Sequence, residues 1–127
     1  MGDSLPLHYL KDDNLENLIV YQKTYDMIQY GYQALKQFPR SEKHTFAAEI
    51  KEAMIKLLKL IIITNKKYYK KTTLREMDTQ LELITTYIRL AKDLEFLPFK
   101  KYGIWSEKLD EVGKLIGGWM KTIEKKQ

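Results

Sequence analysis

The fold of this chain is decided by residues 102–123, which read YGIWSEKLDEVGKLIGGWMKTI. A large apolar side chain recurs there every three or four residues without a break, at Tyr102, Trp105, Leu109, Val112, Ile116, Trp119 and Ile123. This spacing places the side chains on one face of an α-helix, whereas a half-buried strand alternates every second residue. Pro98 suits the first turn of the helix because its missing N–H costs nothing there. The stretch therefore predicts a long amphipathic helix over residues 98–123.

The same periodicity predicts three more helices towards the N-terminus. Residues 73–97 form the nearest one, which opens with Thr73 and Glu76 as a capping box and carries the stripe Leu74, Met77, Leu81, Ile84, Ile88 and Ala91. Residues 41–65 form the next, with Ser41 as N-cap and a stripe so wide that we expect this helix to be central; it contains Phe46, Ile50, Met54, Leu57 and Ile61. Residues 14–38 form the first helix, which ends before Pro39 and carries Leu18, Tyr21, Tyr25, Ile28, Tyr32 and Leu35.

These four helices predict an all-α protein with short connections. Short connections favour antiparallel neighbours, so residues 14–127 are expected to form an up-down-up-down four-helix bundle. Residues 1–13 are polar and are expected to form an N-terminal arm or a disordered leader. Gly117 and Gly118 lie inside the last helix, where we expect them to allow close approach of a neighbouring helix.

Composition excludes several classes of protein. The 127 residues contain no cysteine, which excludes disulfide scaffolds, cysteine-based zinc sites and thiol catalysis. The longest apolar run, Leu60–Ile63, is far shorter than the roughly 20 residues of a membrane span. The N-terminus lacks the pattern of a signal peptide. We therefore expect an intracellular, cytoplasmic protein that has no membrane partner.

Catalytic and metal-binding motifs are missing from the sequence. The only histidines are His8 and His44, and neither belongs to the Glu-x-x-His pairs of a di-iron bundle. The chain has no glycine-rich phosphate loop, and no local motif supports serine–histidine or paired-acid catalysis. We expect a protein that is not an enzyme and that has no cofactor or metal.

Basic residues predict a binding surface instead. The chain carries 22 Lys and Arg against 17 Asp and Glu, a net charge of +5, and residues 39–71 alone hold nine basic and three acidic groups. Such clustering favours a polyanion or an acidic protein as partner. Its densest part is the predicted connector formed by Lys66, Lys67, Tyr68, Tyr69, Lys70 and Lys71. Lysines neutralise phosphates and tyrosines stack on unpaired bases, but lysines also favour the negative C-terminus of a helix, so both interpretations stay open.

Further basic candidates lie near both ends of the predicted bundle. The first connection and the start of the last helix return to one end, and they contain Lys36, Arg40, Lys43, Lys100 and Lys101. The last helix then descends towards the lysine–tyrosine connector, with Lys114 and Lys121 on the way.

Nine tyrosines are an unusually large share for a chain of this length. Packing into the core is the simpler interpretation, whereas tyrosines at an interface would supply large amphipathic contact area. Four wide apolar stripes together with extra aromatic residues exceed what one small bundle buries. A homo-oligomer accounts for the surplus.

Four segments of the chain resemble one family. They are residues 38–43 (FPRSEK), 74–78 (LREMD), 89–94 (RLAKDL) and 113–119 (GKLIGGW). In this order, over roughly residues 16–122, they are similar to the four-helix-bundle family of the accessory variability determinant of diversity-generating retroelements. Proteins encoded by intervening sequences in bacterial 23S ribosomal RNA genes are relatives of that family.

The resemblance implies a basic, barrel-like homopentamer that binds the reverse transcriptase of the element and nucleic acid. In such elements a template RNA is copied with adenine-directed errors, and the cDNA replaces a variable region of a target gene. The matched basic residues are Arg40, Lys43, Arg75, Arg89, Lys92 and Lys114; Arg75 adjoins the predicted capping box, and Arg89 is expected to pair with Asp93. The leading hypothesis is a non-catalytic partner of a reverse transcriptase that contacts RNA or DNA. The alternative is an intervening-sequence-type bundle that acts as a structural or RNA-associated oligomer without a polymerase.

Overall fold

The computed structural model describes residues 15–126, which form four α-helices and no strand. These are α1 (Leu15–Leu35), α2 (Phe46–Lys66), α3 (Lys71–Asp93) and α4 (Phe99–Lys126), with a short 3-10 turn at Arg40–Glu42 between the first two. The arm predicted over residues 1–13 lies outside the described residues.

The helices pack as a square in chain order. Helix α1 contacts α2 and α4, and α3 contacts the same two helices. Each helix therefore has two main neighbours, and the expectation that α2 is central was wrong. Leu58 and Ile62, which widen its apolar stripe, are half-buried, and Ile63 is 49% exposed.

The core follows the predicted stripes in α3 and α4. Both tryptophans are fully buried, and every other member of the two stripes is buried except Tyr102, which is half-buried. In α2 the predicted stripe is buried from Ile50 to Ile61, whereas Phe46 is half-buried. The burial of these side chains holds the four helices together.

The stripe predicted for α1 was right in part: Ile28 and Leu35 are buried, whereas Tyr32 is exposed. Its buried face is formed by Val20, Thr24, Met27, Ile28, Gly31, Ala34 and Leu35. The tyrosines lie to one side of this face: Tyr21 and Tyr25 are half-buried and stack with ring centroids 6.2 Å apart, and Tyr32 is exposed. Thr24 and Gly31 occupy core positions without a large apolar side chain, so the apolar pattern shifted the predicted face towards the tyrosines.

Two helix starts also differ from the prediction. Ser41 lies in the 3-10 turn, and α2 begins at Phe46 after Thr45, whose side chain forms no capping hydrogen bond. Helix α3 begins at Lys71, so Thr73 lies inside it and its hydroxyl donates to the carbonyl of Lys70 at 3.2 Å. The predicted capping box is therefore absent, because the helix starts two residues earlier.

Aromatic rings join the two connections at one end of the bundle. Phe38 follows α1 and Phe96 follows α3, and their ring centroids are 5.8 Å apart; Phe46 lies 6.0 Å from Phe38. We call this the phenylalanine end. Tyr87 packs on Phe46 and its hydroxyl donates to Glu49 at 3.4 Å. Partial burial first, and the neighbouring Glu49 charge second, raise the pKa of Tyr87 above its usual value.

Candidate nucleic-acid interface

The opposite end of the bundle, which we call the lysine–tyrosine end, is formed by the α2–α3 connector and the last turns of α4. Lys70 organises this connector. Its ammonium group donates to the carbonyl oxygens of Thr64 at 3.0 Å and Asn65 at 3.3 Å, and also to that of Lys67. These carbonyls close α2, where backbone acceptors lack partners within the helix. Lys70 therefore caps α2, in line with the interpretation that lysines favour a helix C-terminus.

Four basic side chains around the connector are exposed. They are Lys66, Lys67, Lys71 and Arg75, and none of them forms an ion pair with a described residue. Acidic neighbours are scarce, since residues 56–76 and 114–126 together carry eleven basic and two acidic groups. This concentration of uncompensated positive charge attracts polyanions.

Two grooves flank the first turns of α3. One has a volume of about 340 Å³ and is lined by Lys71, Leu74, Arg75, Met120, Ile123 and Glu124. The other has a volume of about 380 Å³ and is lined by Lys56, Leu60, Thr72, Arg75, Glu76, Thr79 and Gln80. Arg75 lines both grooves, although the sequence placed it beside a capping box. Lys56 was missed as a candidate, and its i,i+19 separation from Arg75 gave no local signal.

Tyr68 and Tyr69 project from the connector into solvent. Their side chains are 83% and 74% exposed, and their rings meet edge to face with centroids 4.7 Å apart. The other described tyrosines behave differently. Tyr30, Tyr32 and Tyr102 each lie beneath a lysine ammonium group, at 5.6, 5.0 and 4.7 Å from the ring centroid. Only the connector tyrosines, among residues 18–126, leave most of their ring area uncovered.

The phenylalanine end is less strongly charged. Residues 36–45 and 89–101 carry seven basic and three acidic groups. Lys43 donates to the carbonyl of Lys36 at 2.9 Å and so closes α1. Lys92 pairs with Asp93 at 3.3 Å and lies over the ring of Tyr102.

The predicted pair of Arg89 with Asp93 is absent, because Asp93 pairs with its neighbour Lys92. Arg89 is exposed, as are Arg40 and Lys100, while Lys101 is half-buried.

The structure therefore separates the predicted site residues into two groups. Helix α2 has 21 residues and connects the two ends, so they lie about 30 Å apart at 1.5 Å per residue. Lys121 is exposed in the last turns of α4, near the lysine–tyrosine end, and Lys114 is exposed farther up the same helix. A ligand that uses both groups at once must span the length of the bundle.

The described part of the chain, residues 15–126, lacks two further kinds of site. That part of the chain contains no group of three or more His, Cys, Asp or Glu side chains that could hold a metal ion. Nor does it contain a helix that combines the length and the apolar character needed to cross a membrane.

Comparison with known proteins agrees with the four-helix architecture. A search of curated proteins found no match. A family model described as bAvd-like matches residues 18–123, which include all of the bundle except the first residues of α1 and the last of α4. The chain therefore belongs to the bAvd-like family.

Proposed function

We propose that this protein is a non-catalytic accessory protein of a diversity-generating retroelement. In this proposal it assembles into a ring, most simply of five copies, and binds both the reverse transcriptase and the template RNA or its cDNA. Membership of the bAvd-like family supports the proposal. The observation that carries it is the lysine–tyrosine end, where Lys66, Lys67, Lys71 and Arg75 are exposed without acidic partners.

Assembly would strengthen weak electrostatic contacts. One chain has a net charge of +5, so five copies would carry about +25, and several modest contacts would act together on one nucleic acid. Exposed apolar side chains support assembly, because a contiguous apolar surface favours association. Leu83 and Leu90 lie two turns apart on α3 and Leu94 directly follows that helix; they are 39%, 46% and 49% exposed.

The nucleic-acid part of the proposal is tested with two variants that remove equal charge. The first carries Lys66→Gln, Lys67→Gln, Lys71→Gln and Arg75→Gln at the lysine–tyrosine end. The matched control carries Lys36→Gln, Arg40→Gln, Lys100→Gln and Lys101→Gln at the phenylalanine end. Affinity for a labelled RNA is measured for both as a function of salt concentration.

We expect the first variant to bind more weakly than the control, with a log–log salt slope reduced by about 3, since each contact to a single strand contributes about 0.7. If only the control loses binding, the working surface lies at the phenylalanine end. If both variants bind like the parent protein, the proposed basic interface is wrong.

The polymerase part is tested by co-purification with the reverse transcriptase encoded beside the gene. We expect a stable complex, and we expect paired template and variable repeats in the same neighbourhood. RNA binding without any neighbouring reverse transcriptase would favour the alternative, a structural or RNA-associated oligomer of the intervening-sequence type.

A further inference from the structure

We propose that Tyr68 and Tyr69 form a stacking platform for unpaired bases, so that the lysine–tyrosine end prefers single-stranded nucleic acid to duplex. The inference rests on the proposed nucleic-acid binding and adds which form of nucleic acid is recognised. Its starting point is that these two adjacent rings are 83% and 74% exposed, far more than any other described tyrosine.

The two rings lie outside the packing that holds the bundle together. Neither ring packs against the hydrophobic core, which the half-buried tyrosines 21, 30, 87 and 102 do. The backbone is held instead by Lys70, whose ammonium group binds three carbonyl oxygens at the end of α2. The hydrogen bonds of Lys70 therefore hold the connector backbone, while the two tyrosine rings are exposed to solvent. A ligand pays little ordering cost when it binds to a surface that is already organised.

The geometry of the pair leaves ring faces available. The rings meet at an interplanar angle of 89°, so the edge of one covers a face of the other and the remaining faces stay open. Bases present flat π-faces of their own, and stacking on tyrosine is tolerant of sequence. In a duplex these faces are already covered by neighbouring base pairs, so only unpaired bases gain from the platform.

Charge around the platform fits a nucleic-acid strand better than a protein surface. Lys66, Lys67 and Lys71 border the two rings in sequence, and Arg75 lies one turn beyond Lys71 in α3. Lys56, Thr72 and Arg75 line a groove between α2 and α3, and Thr72 lies one residue after the start of α3. Positive groups that flank aromatic faces on both sides suit a strand that carries both phosphates and bases.

The experiment compares single-stranded and hairpin oligonucleotides of equal length and charge, each carrying the same fluorescent label. The double variant Tyr68→Leu/Tyr69→Leu is expected to bind the single strand about tenfold more weakly, a loss of about 1.4 kcal/mol. Hairpin affinity should change less than twofold. The salt slope for the single strand should stay at the parent value because no charge is removed.

Two further variants test whether the aromatic faces of this pair make the contact. Tyr68→Phe/Tyr69→Phe keeps the rings, removes both hydroxyl groups and should retain parent affinity. Phe99→Leu removes a ring that is 77% exposed and also precedes two lysines, but at the opposite end, and it should leave single-strand binding unchanged. A loss of affinity in Tyr68→Phe/Tyr69→Phe would assign the contact to the hydroxyl groups and overturn the stacking proposal.

A direct optical test uses Tyr69→Trp. Trp105 and Trp119 are the only native tryptophans and are fully buried, so a bound base would quench mainly the fluorescence of the new, exposed indole. Its emission should fall on binding the single strand and change little with the hairpin. If the parent binds neither oligonucleotide, the proposed function fails. If the parent binds both and the leucine variant keeps the preference for the single strand, only the stacking platform is wrong. The platform is also wrong if the leucine variant loses binding to the reverse transcriptase but keeps binding to the single strand.

Discussion

At residue scale, two glycines in the helices lie so close to neighbouring side chains that a Cβ atom would crowd them. A Cβ atom at Gly31 would lie 2.7 Å from Met54 Sδ and 2.7 Å from Trp105 Cζ2, closer than real contacts allow. A Cβ atom at Gly113 would lie 3.1 Å from a methyl group of Leu81. Around Gly117 and Gly118 there is open space, so the predicted close approach at this pair was wrong.

We expect Gly31→Ala to destabilise the protein by about 1–3 kcal/mol, because Met54 and Trp105 are fully buried and have little room to move. Gly117→Ala is the control. It should stabilise α4 by up to about 1 kcal/mol, since alanine is the better helix former and nothing obstructs its methyl group. Urea unfolding measures both. Equal or greater stability of the Gly31 variant would show that the core yields at this point.

Glu95 is the only described residue other than glycine with a positive φ, at 64°. It ends α3 in a Schellman motif, in which Phe96 N–H donates to Ala91 O and Glu95 N–H donates to Lys92 O, both at 2.9 Å. Glycine adopts this conformation without steric cost, so Glu95→Gly should stabilise the protein by about 1 kcal/mol. Glu95→Ala controls for the lost carboxylate and should not stabilise. A rise in thermal midpoint for alanine alone would contradict the backbone argument.

At the scale of elements, sequence periodicity predicted α3 and α4 because nearly every inward position there carries a large apolar side chain. It placed the face of α1 only in part, because the buried residues Thr24 and Gly31 carry no large apolar side chain that a hydrophobic pattern would register. Helix starts were missed because Ser41 and Thr73 suit an N-cap by residue type. In the structure a 3-10 turn follows Pro39 and delays α2 to Phe46, and α3 begins directly after Lys70.

The sequence predicted which residues form the candidate site, but not which of them hold the backbone and which line the grooves. Lysines and tyrosines at residues 66–71 stand out in the sequence, and their exposure agrees with a connector. The local sequence could not assign Lys70 to the end of α2, because that depends on the fold of the connector. Nor could it bring Lys56 to Arg75, since these residues lie on different helices.

The end of α2 yields its own prediction. Lys70→Met removes an ammonium group that binds three carbonyl oxygens and should destabilise the protein by about 1–2 kcal/mol. Lys66→Met, which removes an exposed lysine in the last turn of α2, is the control and should cost less than about 0.5 kcal/mol. Urea unfolding gives the difference, and hydrogen exchange of the Lys67 amide should accelerate only in the Lys70 variant. Equal costs for the two variants would remove the capping role.

At the scale of the whole molecule, assembly and nucleic-acid binding should respond to salt in opposite directions. Copies of a chain with net charge +5 repel one another, and salt screens this repulsion. Sedimentation equilibrium should therefore show the approach to about 75 kDa, five times 15.1 kDa, at lower protein concentration in 0.5 M than in 0.05 M salt. RNA affinity should fall over the same range. A monomer at micromolar concentration under both conditions would contradict the ring.

The separation of charge along the bundle gives a ring two unlike sides. Cyclic symmetry relates copies by rotation about one axis and never inverts that axis, so every copy points the same way. In a ring whose bundle axes run along the symmetry axis, all lysine–tyrosine ends would share one rim, and all phenylalanine ends would share the other. A long polyanion would meet a circle of equivalent docking points on one side only and could pass from copy to copy without dissociating. The opposite rim would remain open to a protein partner, so the assembly would hold template and polymerase on opposite sides, the length of α2 apart.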